Sequence, residues 1–324
     1  MKSVIGIIGA LTVGALAGGN GIAQTFPAKP IRLVVAFATG GVTDVFSRVA
    51  AVDMSKSMGQ QVIVENRPGA GTILAAEIVA KSAPDGYTLL ITDLSTHAIT
   101  PSLYAKLPYH PTRDFAAVAS LSSSPLIMVA HPSLNVKSAK ELIALAKKHP
   151  GITCGNGGMG TVTHMASEKF RMRAGIDIVP VHYKGGTTST VSLLTGEIAL
   201  IVTTIPSVLE HVRSGRLVAI GLTADKRAPA LPDIAALGET VKGADAAVIA
   251  AALAPAGTPR NIIERFNAEF AKAADSPRLR ESFAANAAEA MIMRPEAMLR
   301  FLEQDTKTWA EVVKATGVKL QSLR

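Results

Sequence analysis

The chain has 324 residues, 48% of them apolar and 18% charged, with a formal net charge of +8. That balance suits a packed globular protein of one or two domains and excludes a disordered polymer. Cys154 is the only cysteine, which excludes an internal disulfide and any zinc or iron–sulfur centre built on cysteines.

Taken from the start, Lys2 precedes an uncharged run over residues 4–17, and Gly21 and Ala23 place small side chains before Gln24. A positive start, a short apolar stretch and small residues at the cut predict an export signal over residues 1–23, cleaved near Ala23. The run is too short to span a bilayer comfortably. The mature protein is therefore expected in the periplasm.

Residues 31–35 read as a strand. A turn at Thr39-Gly40-Gly41 follows, with Thr43 and Asp44 as caps of a helix running to about Met58. A second strand covers 62–65. Thr72 caps a helix ending near Lys81, Pro84-Asp85-Gly86 turns the chain, and a third strand covers 87–92. Alternating strands and helices predict a doubly wound α/β unit around a parallel sheet.

A second unit opens with a crossing strand at 126–130, and Ser138 caps a helix over 139–148. Strands at 178–181, 199–202 and 217–221 alternate with helices starting near Val162 and around 190–194. The apolar run 248–254 reads as a return strand, and the tail is helical over 261–274 and 295–316. Pro295 at the first turn and Gly317 at the stop match the preferences of helix ends. Leu299, Leu302, Thr306, Trp309 and Val313 form a buried stripe on the last helix, so Trp309 is read as core. The fold expected is two doubly wound α/β domains with a ligand cleft between them. Residues 24–125 with 228–324 form domain 1, and residues 126–227 form domain 2.

Two glycine-rich turns each lead from a strand into a helix: Thr39 to Thr43, and Gly155 to Thr161. Glycines let backbone amides converge, and the first turn of a helix carries unpaired N–H groups with about half a positive charge. Such a turn holds an anion without a lysine or arginine. Two of them in separate units can face one cleft. The spacing Gly155-x-Gly157-x-x-Gly160 also fits a dinucleotide fingerprint, so a nucleotide-dependent oxidoreductase or transferase is the alternative reading. Its acidic partner is poorly placed, because Asp177 precedes its strand instead of following it. The chain has no G-x-S-x-G elbow and no H-E-x-x-H zinc motif. With aromatic residues at 4% and no basic run, nucleic acid is not an expected partner.

These stretches resemble the periplasmic receptors of tripartite tricarboxylate transporters, the Bug-type solute-binding proteins. The similarity rests on Lys29-Pro30-Ile31-Arg32, Gly40-Gly41-Val42-Thr43-Asp44, Val64-Glu65-Asn66-Arg67-Pro68-Gly69-Ala70-Gly71 and Ala83-Pro84-Asp85-Gly86-Tyr87-Thr88-Leu89-Leu90. It continues through Thr96-His97-Ala98-Ile99, Tyr183-Lys184-Gly185 and Leu253-Ala254-Pro255-Ala256-Gly257-Thr258-Pro259. The resemblance implies a monomeric receptor that binds a small carboxylate, partnered by membrane transporter subunits, with no catalysis, cofactor or metal. Carried over by motif, the ligand contacts in the first domain are Phe37, Ala38, Thr39, Gly40, Gly41, Thr43, Asp44, Thr96 and His97. Those in the second are Gly158, Met159, Gly160, Thr161, His164, Lys184, Gly185 and Thr203. Relatives usually carry Gly at Thr72, Asp at Ser192 and Asp at Thr203. An ammonium group in a cleft needs a carboxylate nearby. The loss of these acids therefore predicts a preference for plain mono- or dicarboxylates over amino acids.

Overall fold

In strand β1 (Ile31–Val35) four of five residues are buried, the pattern of a strand covered on both faces. The structure, a computed structural model, describes residues 26–318. The expected export signal and its cleavage point lie outside the described residues. From β1 the chain enters helix α1 (Val42–Met58), then β2 (Val62–Asn66), α2 (Ile73–Ala80), β3 (Thr88–Asp93) and α3 (Leu94–Leu103). β1 pairs in parallel with β2 on one side and β3 on the other.

The two halves are joined by one long strand, β4 (Phe115–Ala130), of which only 126–130 was expected from sequence. Its first part, through Pro125, lies antiparallel to β9 (defined below) in the first sheet. Register shifts between Ala117 and Ala119 and between Ser120 and Ser122 bend it there. From Leu126 onward it belongs to the second sheet. The second half then runs α4 (Ala139–Lys148), β5 (Ile152–Asn156), α5 (Val162–Ala174), β6 (Ile178–His182), α6 (Gly186–Leu194), β7 (Leu200–Thr204), α7 (Leu209–Arg213) and β8 (Val218–Leu222). β5 pairs in parallel with β6 and β7, while β4 pairs antiparallel with β7 and β8.

The chain returns to the first sheet as β9 (Ala247–Pro255), which inserts between β3 and β4. It ends with α8 (Arg260–Ala274), α9 (Pro277–Ala285), the short β10 (Glu289–Ala290) against β4, and α10 (Pro295–Thr316). Gly317 caps α10 in the left-handed conformation, and Leu302, Trp309 and Val313 of its apolar stripe are buried. Thr223 ties the two crossing segments together. Its hydroxyl lies 2.8 Å from the Leu126 amide and 2.6 Å from the Ala246 carbonyl.

Sequence and structure differ in several places. The stretch 228–246, assigned from sequence to domain 1, packs on the second sheet. Ala236 bridges Leu222, and Leu231 belongs to that sheet's apolar cluster. Helices α3 and α9 were not foreseen. α3 contains Pro101, which reads in sequence as a break. Thr43 and Asp44 do not cap α1; the cap is Gly41, and both residues lie within the first turn. Thr72 does occupy the cap position of α2, but its side chain makes no capping bond.

Candidate functional site

A cavity of about 70 Å³ lies where the starts of α1, α5 and α6 meet the ends of β3 and β7. The loop after β1 brings Phe37, Ala38, Thr39, Gly41, Val42 and Thr43 to its wall, and the loop after β5 brings Gly157, Thr161, Val162 and Thr163. Gly185, Gly186 and Thr187 enter from the start of α6, and Thr203, Thr204 and Ser207 from the end of β7. Threonine, serine and glycine supply most of the lining residues, but the wall they form with Phe37, Val42, Val162 and Val248 is mainly carbon.

The three helix starts are not equivalent. α1 begins at Gly41 and α6 at Gly185, and neither cap residue supplies a side chain to the first-turn amides. Asp44 instead reaches back, accepting the Gly40 amide at 3.0 Å, while Arg48 and Asn66 hold its other lone pairs. Burial raises its pKa, but Arg48, the Gly40 amide and Asn66 outweigh that and leave it below the ordinary carboxylate value. The start of α5, in contrast, is capped internally. Thr161 Oγ1 accepts the His164 amide at 3.4 Å, and Thr163 Oγ1 accepts the Gly157 amide at 2.9 Å. His164 Nδ1 accepts the Gly160 amide at 3.2 Å. Two open helix starts face the cavity, and the third has spent most of its donors on its own loop.

The two lobes touch around this cavity. The Val162 amide donates to Thr96 Oγ1 at 3.0 Å. A Cβ built on Gly185 would stand 3.4 Å from that of Ala38. One on Gly186 would come within 2.5 Å of Thr203 Oγ1, so only glycine leaves room there. Thr203 is fully buried, and its hydroxyl has no hydrogen-bond partner among the described residues.

Of the contacts expected from sequence, Phe37, Ala38, Thr39, Gly41, Thr43, Thr161, Gly185 and Thr203 line this cavity. Gly158, Met159 and Lys184 line an adjoining outer groove. Gly40, Asp44, Thr96, His97, Gly160 and His164 line neither. His97 is fully buried, its Nε2 bonded to the Pro111 carbonyl at 2.8 Å and its ring stacked beside Tyr109. His164 is buried with its ring edge-on to His182, and burial with that neighbour pushes its pKa down to about 3. Both histidines are structural hydrogen-bonders.

Sequence reasoning missed Asp93, the one charged residue of the cavity lining. It caps α3, accepting the Ser95 and Thr96 amides at 3.2 and 3.0 Å, the Thr96 hydroxyl at 2.5 Å and the Ile249 amide at 2.8 Å. Desolvation raises its pKa to about 6, against the lowering effect of those bonds. The sequence signal was an Asp directly after a strand, but it stood outside both glycine turns. Thr163, Thr187, Thr204 and Ser207 were missed for the same reason.

A family model described as tripartite tricarboxylate transporter family receptor matches residues 46–318. Protein BugT of Bordetella pertussis is 37% identical over 328 residues, covering 99% of each chain. Among solved structures, R. palustris Rpa4515 with adipate superposes with a TM-score of 0.87 at 30% identity, covering 91% of this chain and all of that one. Periplasmic binding protein BugD gives 0.85 at 29% identity with the same coverage. MatC from Rhodopseudomonas palustris with bound malate gives 0.81 at 29% identity, covering 89% of this chain and all of that one. The α/β fold is shared with these structures, and the chain belongs to the tripartite tricarboxylate transporter receptor family.

Proposed function

We propose that this receptor captures a small organic carboxylate outside the cytoplasmic membrane and delivers it, as a monomer, to membrane subunits of a tripartite-type transporter. The observation that carries the reading is the uncapped start of α1 at Gly41, facing a small cavity lined largely by threonine, serine and glycine. Its free amides and helix dipole favour an anion. Adipate and malate in the related structures support the same ligand class.

Size narrows the ligand. A buried water needs roughly 10–15 Å³ of such space, so a cavity of about 70 Å³ holds on the order of five to seven water-sized groups. That suits a short organic acid and is far too small for a dinucleotide. The Gly157 and Gly160 amides, on which a pyrophosphate would depend, are held by Thr163 and His164. We therefore read the chain as a receptor and not as an enzyme. We place the lobe division at Pro125–Leu126 and near Ala246, where Thr223 joins the crossings. We also assign residues 1–23 to a removed export signal.

A thermal-shift screen of ligand-stripped protein against short mono- and dicarboxylates tests this, since a ligand of the native state raises Tm by mass action. Chromatography of the same mixtures should recover every acid unchanged. A protein that ignores all carboxylates, or converts one, defeats the reading.

A further inference from the structure

The loop between β2 and α2 passes through four consecutive residues at positive φ, Gly69, Ala70, Gly71 and Thr72, with Thr72 at 80°. Two of the four are not glycine, and a β-branched residue is an outlier in this region. Local bonding explains little of this. The Ile73 amide donates to the Ala70 carbonyl, but neither Gly69 nor Thr72 makes a side-chain capping bond. The Thr72 hydroxyl is buried and has no partner among the described residues. Backbone in sparsely populated conformations persists only where surrounding structure holds it.

That surrounding structure includes the opposite lobe. A Cβ on Gly71 would stand 3.0 Å from the Met159 carbonyl oxygen, and from its own lobe it would meet the Tyr104 hydroxyl at 3.9 Å. Gly160 repeats the approach in reverse, since a Cβ there would stand 3.0 Å from Leu103 Cδ1 of the first lobe. With Gly185 against Ala38, the backbone of one lobe reaches the other at three places along one seam.

We propose that Thr72 is a positioning residue for ligand release: it keeps the β2–α2 loop strained while the seam is shut, and the strain favours reopening. Thr72 acts through the contact of Gly71 with Met159 and not by touching ligand. Once the lobes part, the loop relaxes, so the strain falls on the closed form alone. Glycine at position 72 adopts positive φ freely, and closure around ligand would then last longer. The kinetic part of this inference rests on the carboxylate reading above; its conformational part does not.

Stopped-flow and calorimetric titration of ligand-stripped protein with malate and adipate tests it. Thr72→Gly should lower koff, and Kd with it, by about fivefold or more while kon stays the same. Urea unfolding of the ligand-free variant should show no gain in stability, because the open loop is already relaxed. Gly71→Ala, which sets a Cβ against the Met159 carbonyl, should raise Kd by about fivefold or more. Gly59→Ala is the control: its φ of 68° strains alanine as the 60° of Gly71 does, but its Cβ would meet nothing within 4 Å, so Kd should not change. An unchanged koff in Thr72→Gly overturns the proposal, as does a Kd for Gly71→Ala equal to that of Gly59→Ala. If neither acid binds, the carboxylate reading falls, and spin labels on Lys81→Cys and Lys148→Cys, exposed sites on the two lobes, decide the conformational part. A shift of the Thr72→Gly distances toward the closed form sustains it, and distances identical to the parent's end it.

Discussion

The Thr96 hydroxyl donates to Asp93 Oδ2 at 2.5 Å and accepts the Val162 amide at 3.0 Å. The carboxylate accepts the hydroxyl's one hydrogen bond, which leaves a lone pair of Oγ1 for the first turn of α5. One side chain of the first lobe is thus bonded to the backbone of the second, beside the cavity floor.

Thr96→Val should leave both the Asp93 lone pair and the Val162 amide unpaired while preserving shape. Each lost bond of this kind is worth about 1–3 kcal/mol, so closure around ligand weakens and Kd rises about tenfold or more. Thr96→Ser should restore it. Calorimetry with small-angle scattering of free and bound protein reads both effects, and an unchanged Kd and radius in Thr96→Val removes the latch.

Thr43 and Thr161 both line the cavity, but only Thr161 caps a helix. Thr43→Ala should lose a hydrogen bond to a charged ligand, about 1.5–3 kcal/mol, or roughly ten- to a hundredfold in affinity, whereas the Thr161 hydroxyl already donates to the Gly158 carbonyl at 2.7 Å and its loss should cost less. Thr161→Ala should also lower unfolding stability by about 1 kcal/mol, and Thr43→Ala should not. Denaturant titrations beside binding isotherms separate the two effects. Full affinity in Thr43→Ala would move the anion elsewhere.

The pH dependence of stability follows from buried groups of opposite sign. His164 has its folded pKa pushed down to about 3 from 6.5, and His97 is lowered by burial in the same direction. Their contribution is present above the unfolded value and is lost as pH falls, because the unfolded chain binds the proton first. Asp93 has its folded pKa raised from 3.8 to about 6, so its contribution is greatest below the unfolded value and is lost as pH rises through 6. Between pH 6 and 4 Asp93 therefore offsets about one histidine proton. Asp93→Asn should steepen the acid loss by about 2 kcal/mol over that interval, because at pH 6 the folded carboxyl is only half protonated. His164→Asn should flatten it. Urea titrations at pH 7, 6, 5 and 4 supply the slopes, and two variants that parallel the parent contradict the assignment.

Succinate should bind tighter than aspartate. The one carboxylate in the lining, Asp93, already accepts four hydrogen bonds, and Thr203 offers a hydroxyl and no charge. An ammonium group in this cavity would be poorly paired. Competition calorimetry compares the pair directly, and tighter binding of the zwitterion would refute the argument.

Much of the architecture was legible in local pattern. Pro295 and Gly317 bracket α10, Ser138 caps α4 through the Glu141 amide, and the strand-to-helix glycine turns mark the two loops that face the cavity. These features depend on neighbours within about a turn of chain, so periodicity and residue type carry them. The misreadings are also local. Thr and Asp at positions 43 and 44 have the composition of caps, but Gly41 begins the helix and Asp44 reaches back from inside its first turn.

Composition and spacing by themselves determined two α/β units, a glycine turn at the start of α1 and the family resemblance. Tertiary structure decided which side chains meet. Asp93, Thr204 and Ser207 enter the cavity because the sheet order sets the ends of β3 and β7 beside the helix starts. His97 and His164, equally well placed in sequence, turn inward to bond Pro111 and Gly160. The direction of a side chain at a strand end is set by the packing of neighbours distant in sequence, here across the bend in β4, and no local pattern encodes it.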